Sequence, residues 1–353
     1  MDIPAVQQAW QVVARGTPRK ALVHVHDLLV PSELNQGDVL VKVQAAAVNP
    51  VGYNIMRLVP NLFAGRPAVA EYDFSGIVMG ANGSHWSNGD AVYGMIRPFD
   101  AFRSRQGALS QYTIADSSLL SPRPYLPTTT PTKAAGIAAV AVTAYECLFD
   151  VACFEPGQAL FVNGGSTAVG AYAIQFAKAV GARRVVASAS GKNRDYVLGA
   201  SGSARFIDYT ATDIATALAA NPPAGRLNVV FDAAGLTDSS LYAKSPAYLA
   251  PGGTFVTVGP QPTSWRDVPR LCMLMFHLVR PVWLGGVDRK WKTTSADPKK
   301  ETMEAIHPFI AEGRVIPPVD SVYAFDDVFT AYDRLMSRRA TGKVVVKVDP
   351  TVD

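Results

Sequence analysis

The residues best suited to chemistry stand near the middle of the chain. Asn163-Gly164-Gly165-Ser166-Thr167-Ala168-Val169-Gly170 follows a short apolar run, Ala159 to Val162, and leads into Val169 to Val180, which reads as a helix. In that setting glycines let the backbone turn sharply and approach a pyrophosphate, while the helix start offers unpaired N–H groups and a positive dipole end. The pattern is imperfect, because Thr167 stands where glycine is commoner. An enzyme for an unphosphorylated dinucleotide would carry an Asp or Glu roughly 20 residues further on, to accept the ribose 2′-hydroxyl. That stretch reads Ala187-Ser188-Ala189-Ser190-Gly191-Lys192-Asn193 and holds no acid. Hydroxyls such as Ser190, with Lys192 and Asn193 beside it, suit a 2′-phosphate, so the predicted cofactor is NADPH; a merely solvated Lys192 is the alternative.

The elements that must position these groups follow from pattern. Up to about Arg123 the chain offers short β-rich runs, Ala21 to His26 and Val39 to Val43 among them, separated by turn clusters such as Asn35-Gln36-Gly37-Asp38. A mainly β half, in the manner of a small barrel, is expected. The Pro/Thr-rich stretch Pro122 to Pro131 marks a boundary, after which Thr132 can cap a helix running through Leu148. Strands and helices then alternate: strands at Arg184 to Ala187, Phe206 to Asp208, Leu227 to Phe231 and Gly253 to Val258, the last entered by a Pro251-Gly252-Gly253 turn. That alternation predicts a parallel sheet covered on both faces, with ligands at the carboxyl ends of its strands. The tail adds a helix from Glu301, another from Asp326 to Met336 and a terminal strand Lys343 to Val348, which either half could own.

Composition excludes several classes. With 48% hydrophobic residues over 353 positions the chain can bury a sizeable core, and two domains are expected. The 33 basic residues barely exceed 29 acids and form no basic run, so nucleic acid is not an expected partner. The longest apolar run, Leu271 to Val279, is interrupted by His277 and is too short for a membrane span. The start lacks the marks of a secretory signal, and a soluble, cytoplasmic protein is expected. Cys147, Cys153 and Cys272 fall in no close metal-binding spacing.

Taken in order, several short landmarks resemble one family. They are Val39-Leu40-Val41-Lys42-Val43, Asn49-Pro50, Gly89-Asp90-Ala91-Val92-Tyr93-Gly94, Gly107-Ala108-Leu109-Ser110-Gln111-Tyr112, Thr143-Ala144-Tyr145, the glycine turn, Ile207-Asp208-Tyr209 and Gly342-Lys343-Val344-Val345. The chain resembles the medium-chain dehydrogenase/reductase superfamily over nearly its whole length. Within that superfamily it resembles the zinc-free quinone oxidoreductase and enoyl reductase branch, including fungal enoyl reductases that act in trans on polyketide synthases. The resemblance implies an α/β fold, a GroES-like β domain plus a Rossmann doubly wound parallel-sheet domain, divided as 1–130 with 300–353 and as 131–299. It implies that substrate and nicotinamide meet in the cleft between them, and that a homodimer is the usual form. It also implies cofactor roles: Thr143 at the nicotinamide end, Gly165, Ser166, Thr167, Ala168 and Val169 at the pyrophosphate, Ser190, Lys192, Asn193 and Tyr209 near the 2′-phosphate, and Gly235 and Val258 at the ribose and carboxamide.

Catalytic zinc takes three ligands such as Cys and His, with an open fourth position. The matching segment Asn49-Pro50-Val51-Gly52-Tyr53 has no cysteine, and no His-Glu pair stands near Ala70-Glu71-Tyr72. No metal is expected; His24 and His26, two apart on one strand face, read as a solvated edge. Hydride transfer then suits acceptors already activated by conjugation, an α,β-unsaturated carbonyl or a quinone, with the developing oxyanion met by a donor and a proton supplied afterwards. Asn49 is the first catalytic candidate, to hold cofactor or substrate oxygens, unless it only initiates a turn before Pro50. Tyr53 is the second, a phenol able to donate to an enolate, or else a packing residue. Relatives commonly carry Asp at Gly52, Lys at Asn54 and Gly at Glu71. The apolar segment Met273 to Val282 reads as a greasy pocket, a dimer seam or ordinary core. A small hydrophobic substrate is expected; the alternatives are a carrier-bound acyl chain delivered by a synthase, and an NADPH-binding protein with little turnover.

Overall fold

The computed structural model describes residues 3–199, 202, 205–220, 225–262, 265–294 and 297–353. The chain divides into two compact units, Met1–Val142 with Asp297–Asp353, and Thr143–Ala296. Its strands, in chain order, are β1 Val6–Val12, β2 Leu22–Leu29, β3 Asp38–Val48, β4 Ala68–Val69, β5 Asp73–Gly80, β6 Ala91–Met95, β7 Tyr112–Asp116 and β8 Leu120–Pro122. The second unit contributes β9 Ala159–Asn163, β10 Arg184–Ala189, β11 Arg205–Asp208, β12 Leu227–Asp232, β13 Leu249–Thr257 and β14 Lys290–Thr293; β15 Val319–Ala324 and β16 Lys343–Lys347 return to the first.

In the first unit one sheet runs β15-β16-β3-β5-β6-β8, with β7 also on β3, and a smaller one runs β2-β1-β4. Pairing is antiparallel except between β15 and β16. Strand β3 is central: Ala45, Ala46 and Ala47 are fully buried, because small side chains let both neighbouring strands be covered closely. Its register decides what meets at its end. Val344 of β16 lies opposite Val48, and Asp73 of β5 opposite Ala47. Lys343 and Asp73 are thereby delivered to the point where β3 gives way to the helix Pro50–Leu58, whose start Pro50 favours with its fixed φ. Val41, Phe74, Tyr332 and Val346 pack in the core beneath; each such side chain contributes roughly 1.5–3 kcal/mol by leaving water.

The second unit is a parallel sheet, β11-β10-β9-β12-β13-β14. Every residue of β9 is buried, as a strand flanked by parallel neighbours and covered on both faces requires. Strands β10 and β11 extend to one side of β9 and β12 to β14 to the other, so the order reverses at β9, the crevice where ligands of such sheets bind.

The expected helix from Thr132 through Leu148 is broken into Pro131–Ala134, Ala138–Tyr145 and a wider-wound turn, Glu146–Val151. Pro131 starts the first piece one residue earlier and Gly136 stands at the break; Thr132 lies inside the helix rather than capping it. Pro251-Gly252-Gly253 is not a turn into β13 but lies within it, where Gly252 at φ +77° accompanies a register shift against β12. His24 is no solvated edge residue: its ring stacks on Trp10 at 4.7 Å and meets Phe325 edge-on.

Candidate functional site

Strand β9 ends at Asn163, and the next residues turn back on themselves. Gly164 takes φ +79°, a conformation that disfavours any side chain. Its carbonyl accepts a hydrogen bond from the Thr167 hydroxyl at 2.8 Å, and that same hydroxyl oxygen accepts from the Gly170 N–H at 3.0 Å. Thr167, the residue that spoiled the glycine pattern, is therefore the N-cap of the helix Ala168–Ala179. A Cβ on Gly170 would collide with the Gly164 carbonyl, so the helix start packs tightly under the turn. Ala168 and Val169 are the first two residues of the helix, whose N–H groups have no acceptor in the helix itself.

The other cofactor candidates of this unit gather at the same ends of the strands. Ser190 follows β10, and Asn193 donates to the Ser166 hydroxyl at 3.1 Å, tying that loop to the turn. Lys192 is exposed. Tyr209, just past β11, is 54% exposed and held by its N–H to the Ala189 carbonyl at 3.2 Å. Gly235 follows β12 with φ +67°, and Val258 follows β13, its N–H bonded to the Asp232 carbonyl. Thr143 lies, partly buried, in the helix Ala138–Tyr145. Beneath the turn Asp232 is buried and accepts from Asn163, Leu236 and Thr257; burial pushes its carboxyl up from the usual range. Sequence reading missed Asp208. Its carboxyl, kept low chiefly by the Thr210 hydroxyl and N–H, also accepts from Gly191, and so sets a negative charge beside Lys192.

The first unit holds a second constellation, at the end of β3. Asn49 is 3% exposed and wholly engaged: its amide donates to Ala47 O at 3.1 Å, Glu71 Oε2 at 3.3 Å and Asp73 Oδ2 at 3.2 Å, and its Oδ1 accepts from Lys343 Nζ at 2.6 Å. An amide so committed is a strut within the protein rather than an open partner for substrate oxygens. Lys343 also pairs with Asp73 at 2.7 Å, both side chains being buried. Glu71 accepts from the Asn49 N–H at 3.0 Å and from the Tyr332 hydroxyl at 2.6 Å. Burial raises the Glu71 carboxyl to about 7, against the lowering influence of Tyr332, Lys343 and Asn49. Tyr53 is 8% exposed in the helix Pro50–Leu58 and packs in the core cluster that includes Met56, Tyr72 and Phe74. Of Asn49, Glu71, Asp73, Tyr332 and Lys343, the sequence gives only Asn49 a role. Residues 270 and 294 positions apart meet here, and only strand register signals it.

The segment Met273 to Val282 is core on one side only: Leu274 is buried and Leu278 packs on the core of the parallel unit, while the other apolar side chains are exposed. In the helix Val268–Val279 Phe276 is half-exposed and Val279 70% exposed, and Trp283 beyond it is 82% exposed. No helix among the described residues is long and apolar enough to cross a membrane.

Two family models match: an alcohol dehydrogenase GroES-like domain over residues 35–125 and a zinc-binding dehydrogenase over residues 201–346. The donor set does not fit zinc. At the end of β3 the carboxyls of Glu71 and Asp73 are taken up by Asn49, Tyr332 and Lys343, and among the described residues no three His, Cys, Asp or Glu side chains converge as a metal site. The trans-enoyl reductase pgmF of Aspergillus terreus is 30% identical over 366 aligned positions, covering 99% of this chain and 98% of that one. A quinone oxidoreductase from Coxiella burnetii shares the fold, with a TM-score of 0.75 at 23% identity over 97% of this chain and 99% of that one. So does a crotonyl-CoA carboxylase/reductase solved in complex with NADP, with a TM-score of 0.79 at 19% identity over 99% and 96%.

Proposed function

Because the chain belongs to the medium-chain dehydrogenase/reductase superfamily, in its zinc-free enoyl/quinone reductase branch, we propose that it uses NADPH to reduce the activated C=C bond of a small hydrophobic α,β-unsaturated carbonyl, or a quinone. It is a nicotinamide-dependent oxidoreductase; the choice of NADPH and of acceptor is the further step. The observation that carries the reading is the glycine turn with its open helix start, followed at the end of β10 by Ser190, Lys192 and Asn193.

NADPH, when bound, supplies the hydride that goes to the β-carbon. The N–H groups of Ser166, Ala168 and Val169 would hold its pyrophosphate, with Gly165 and Thr167, whose own N–H groups bond Ser188 and Gly164, shaping the turn; Ser190, Lys192, Asn193 and Tyr209 would hold its 2′-phosphate, Gly235 and Val258 its ribose and carboxamide, and Thr143 the nicotinamide end. Tyr53 is the assigned donor, its hydroxyl meeting the oxygen on which negative charge develops. A proton from water or a side chain completes the saturated product. Residues 1–130 and 300–353 are assigned to substrate and 131–299 to cofactor. The protein is assigned to the cytoplasm, and the exposed apolar face around Phe276 and Trp283 to a homodimer, which light scattering would detect.

The test follows NADPH and NADH oxidation optically against quinones, enals, enones and acyl thioesters. Turnover of a conjugated acceptor with NADPH, weak turnover with NADH, and loss in Tyr53→Phe are the expected results. Preference for NADH would overturn the cofactor assignment. A second reading is favoured by the name of the relative pgmF: a carrier-bound acyl chain presented by a synthase. Turnover of carrier-linked but not free enoyl thioesters would select it.

A further inference from the structure

We propose that Glu71 is a positioning residue of the reduction site: its carboxyl fastens the first turn of the helix Pro50–Leu58 and so fixes where Tyr53 presents its hydroxyl. The proposal rests on the reading of Tyr53 as the donor. Asn49 is the N-cap of that helix, yet its side chain makes no capping bond. Its N–H and its amide turn instead to Glu71 Oε2, while the Tyr332 hydroxyl holds Oε1. The helix start is thus anchored from outside by a carboxyl group, the sign that complements the positive dipole end.

Two backbone features exist for this contact. Glu71 itself sits at φ +63°, a left-handed conformation that costs a glutamate what it would not cost a glycine, and such strain is held where the surroundings over-determine it. Gly52, in the first turn, leaves the room: a Cβ there would overlap all three atoms of the Glu71 carboxyl group. A carboxyl carried by residue 52 would consequently reach the same place from the other side. Glu71 is buried, and with Gly52, Met56, Arg66, Tyr72 and Phe102 it lines a small cavity of about 30 Å³. The charged and titratable groups around it are Tyr332 from the helix Val328–Met336, Lys343 from β16, Asp73 from β5, Tyr72 beside it in the chain and Arg66 across the cavity. With its carboxyl raised to about 7, Glu71 changes charge near neutrality, and the anchoring bonds change with it.

The experiment compares the full chain as wild type, Glu71→Gln, Glu71→Gly, and Glu71→Gly combined with Gly52→Asp. Each is labelled with 3-fluorotyrosine, and the Tyr53 fluorine resonance is identified by its loss in Tyr53→Phe. In wild type that resonance moves with pH across neutrality; in Glu71→Gln, nearly the same shape without the charge, the movement is lost. Glu71→Gly displaces the resonance, and the double variant returns it. With a conjugated acceptor, kcat falls about tenfold in both single variants while KM for NADPH stays put, and the double variant recovers most of the loss. A Tyr53 resonance identical in all folded variants, or a double variant that folds without recovery, overturns the proposal. If wild type reduces no acceptor at all, the functional reading fails instead, and the fluorine spectra still decide whether Glu71 positions Tyr53.

Discussion

The glycine turn of the parallel unit and the polar cluster of the β unit are built in opposite ways. The turn is made of eight consecutive residues, and its bonds, Thr167 to Gly164 and Gly170 to Thr167, span three positions each. The cluster draws Asn49, Glu71, Asp73, Tyr332 and Lys343 from two strands, a loop, a helix start and the last helix. A local turn can be read because its backbone conformation is dictated by its own residue types. A long-range cluster exists only once strands are in register, and each member alone resembles an ordinary surface or core residue.

That contrast predicts where damage spreads. Lys343→Met removes the cation bonded to Asp73 and Asn49 and leaves a buried carboxylate uncompensated, so stability should fall by about 3–5 kcal/mol, read by urea unfolding. The Glu71 carboxyl, raised from 4.5 to about 7 in the folded protein, gives a pH signature of its own. Its contribution is fully present below its unfolded value and is lost as pH rises through about 7. Stability should therefore drop by roughly 3 kcal/mol over that window, and Glu71→Gln should remove this slope. Equal pH dependence of unfolding in both proteins would dissolve the distinction between the regions.

Changes in the turn should instead leave the fold standing and strike the cofactor. Gly170→Ala forces the helix start away from the Gly164 carbonyl, and NADPH affinity should fall at least about tenfold, by fluorescence titration, with little change in the melting of the β unit. Lys192→Ala should weaken NADPH by about 3–10-fold and leave NADH unaltered, losing a single exposed ion pair with the 2′-phosphate. The smallest effect is expected for Asp208→Asn, which removes a neighbouring negative charge and should strengthen NADPH about twofold. A gain for NADH in place of NADPH would reverse the reading of this loop.

Much of the fold was legible. The strands around β9, the parallel sheet and the branch of the superfamily all emerged from alternation, turn residues and ordered landmarks, since each is a local signal repeated along the chain. Cofactor candidates from Gly165 to Val258 lie at carboxyl ends of strands because a parallel sheet puts every strand-to-helix connection on one side, Thr143 in its helix excepted. The helix breaks at 131–151 and the irregular β13 were not legible, as alanine-rich runs and Gly-Gly pairs serve several conformations equally well.

The sequence by itself determined the superfamily, the two-part α/β architecture and the position of the glycine turn, because those depend on contiguous residue types. Only the tertiary structure decided what Asn49, Glu71 and Lys343 are. Pairing β16 and β5 on either side of β3 closes a buried site in which each polar group needs a partner, and chain separation carries no record of which one it will find.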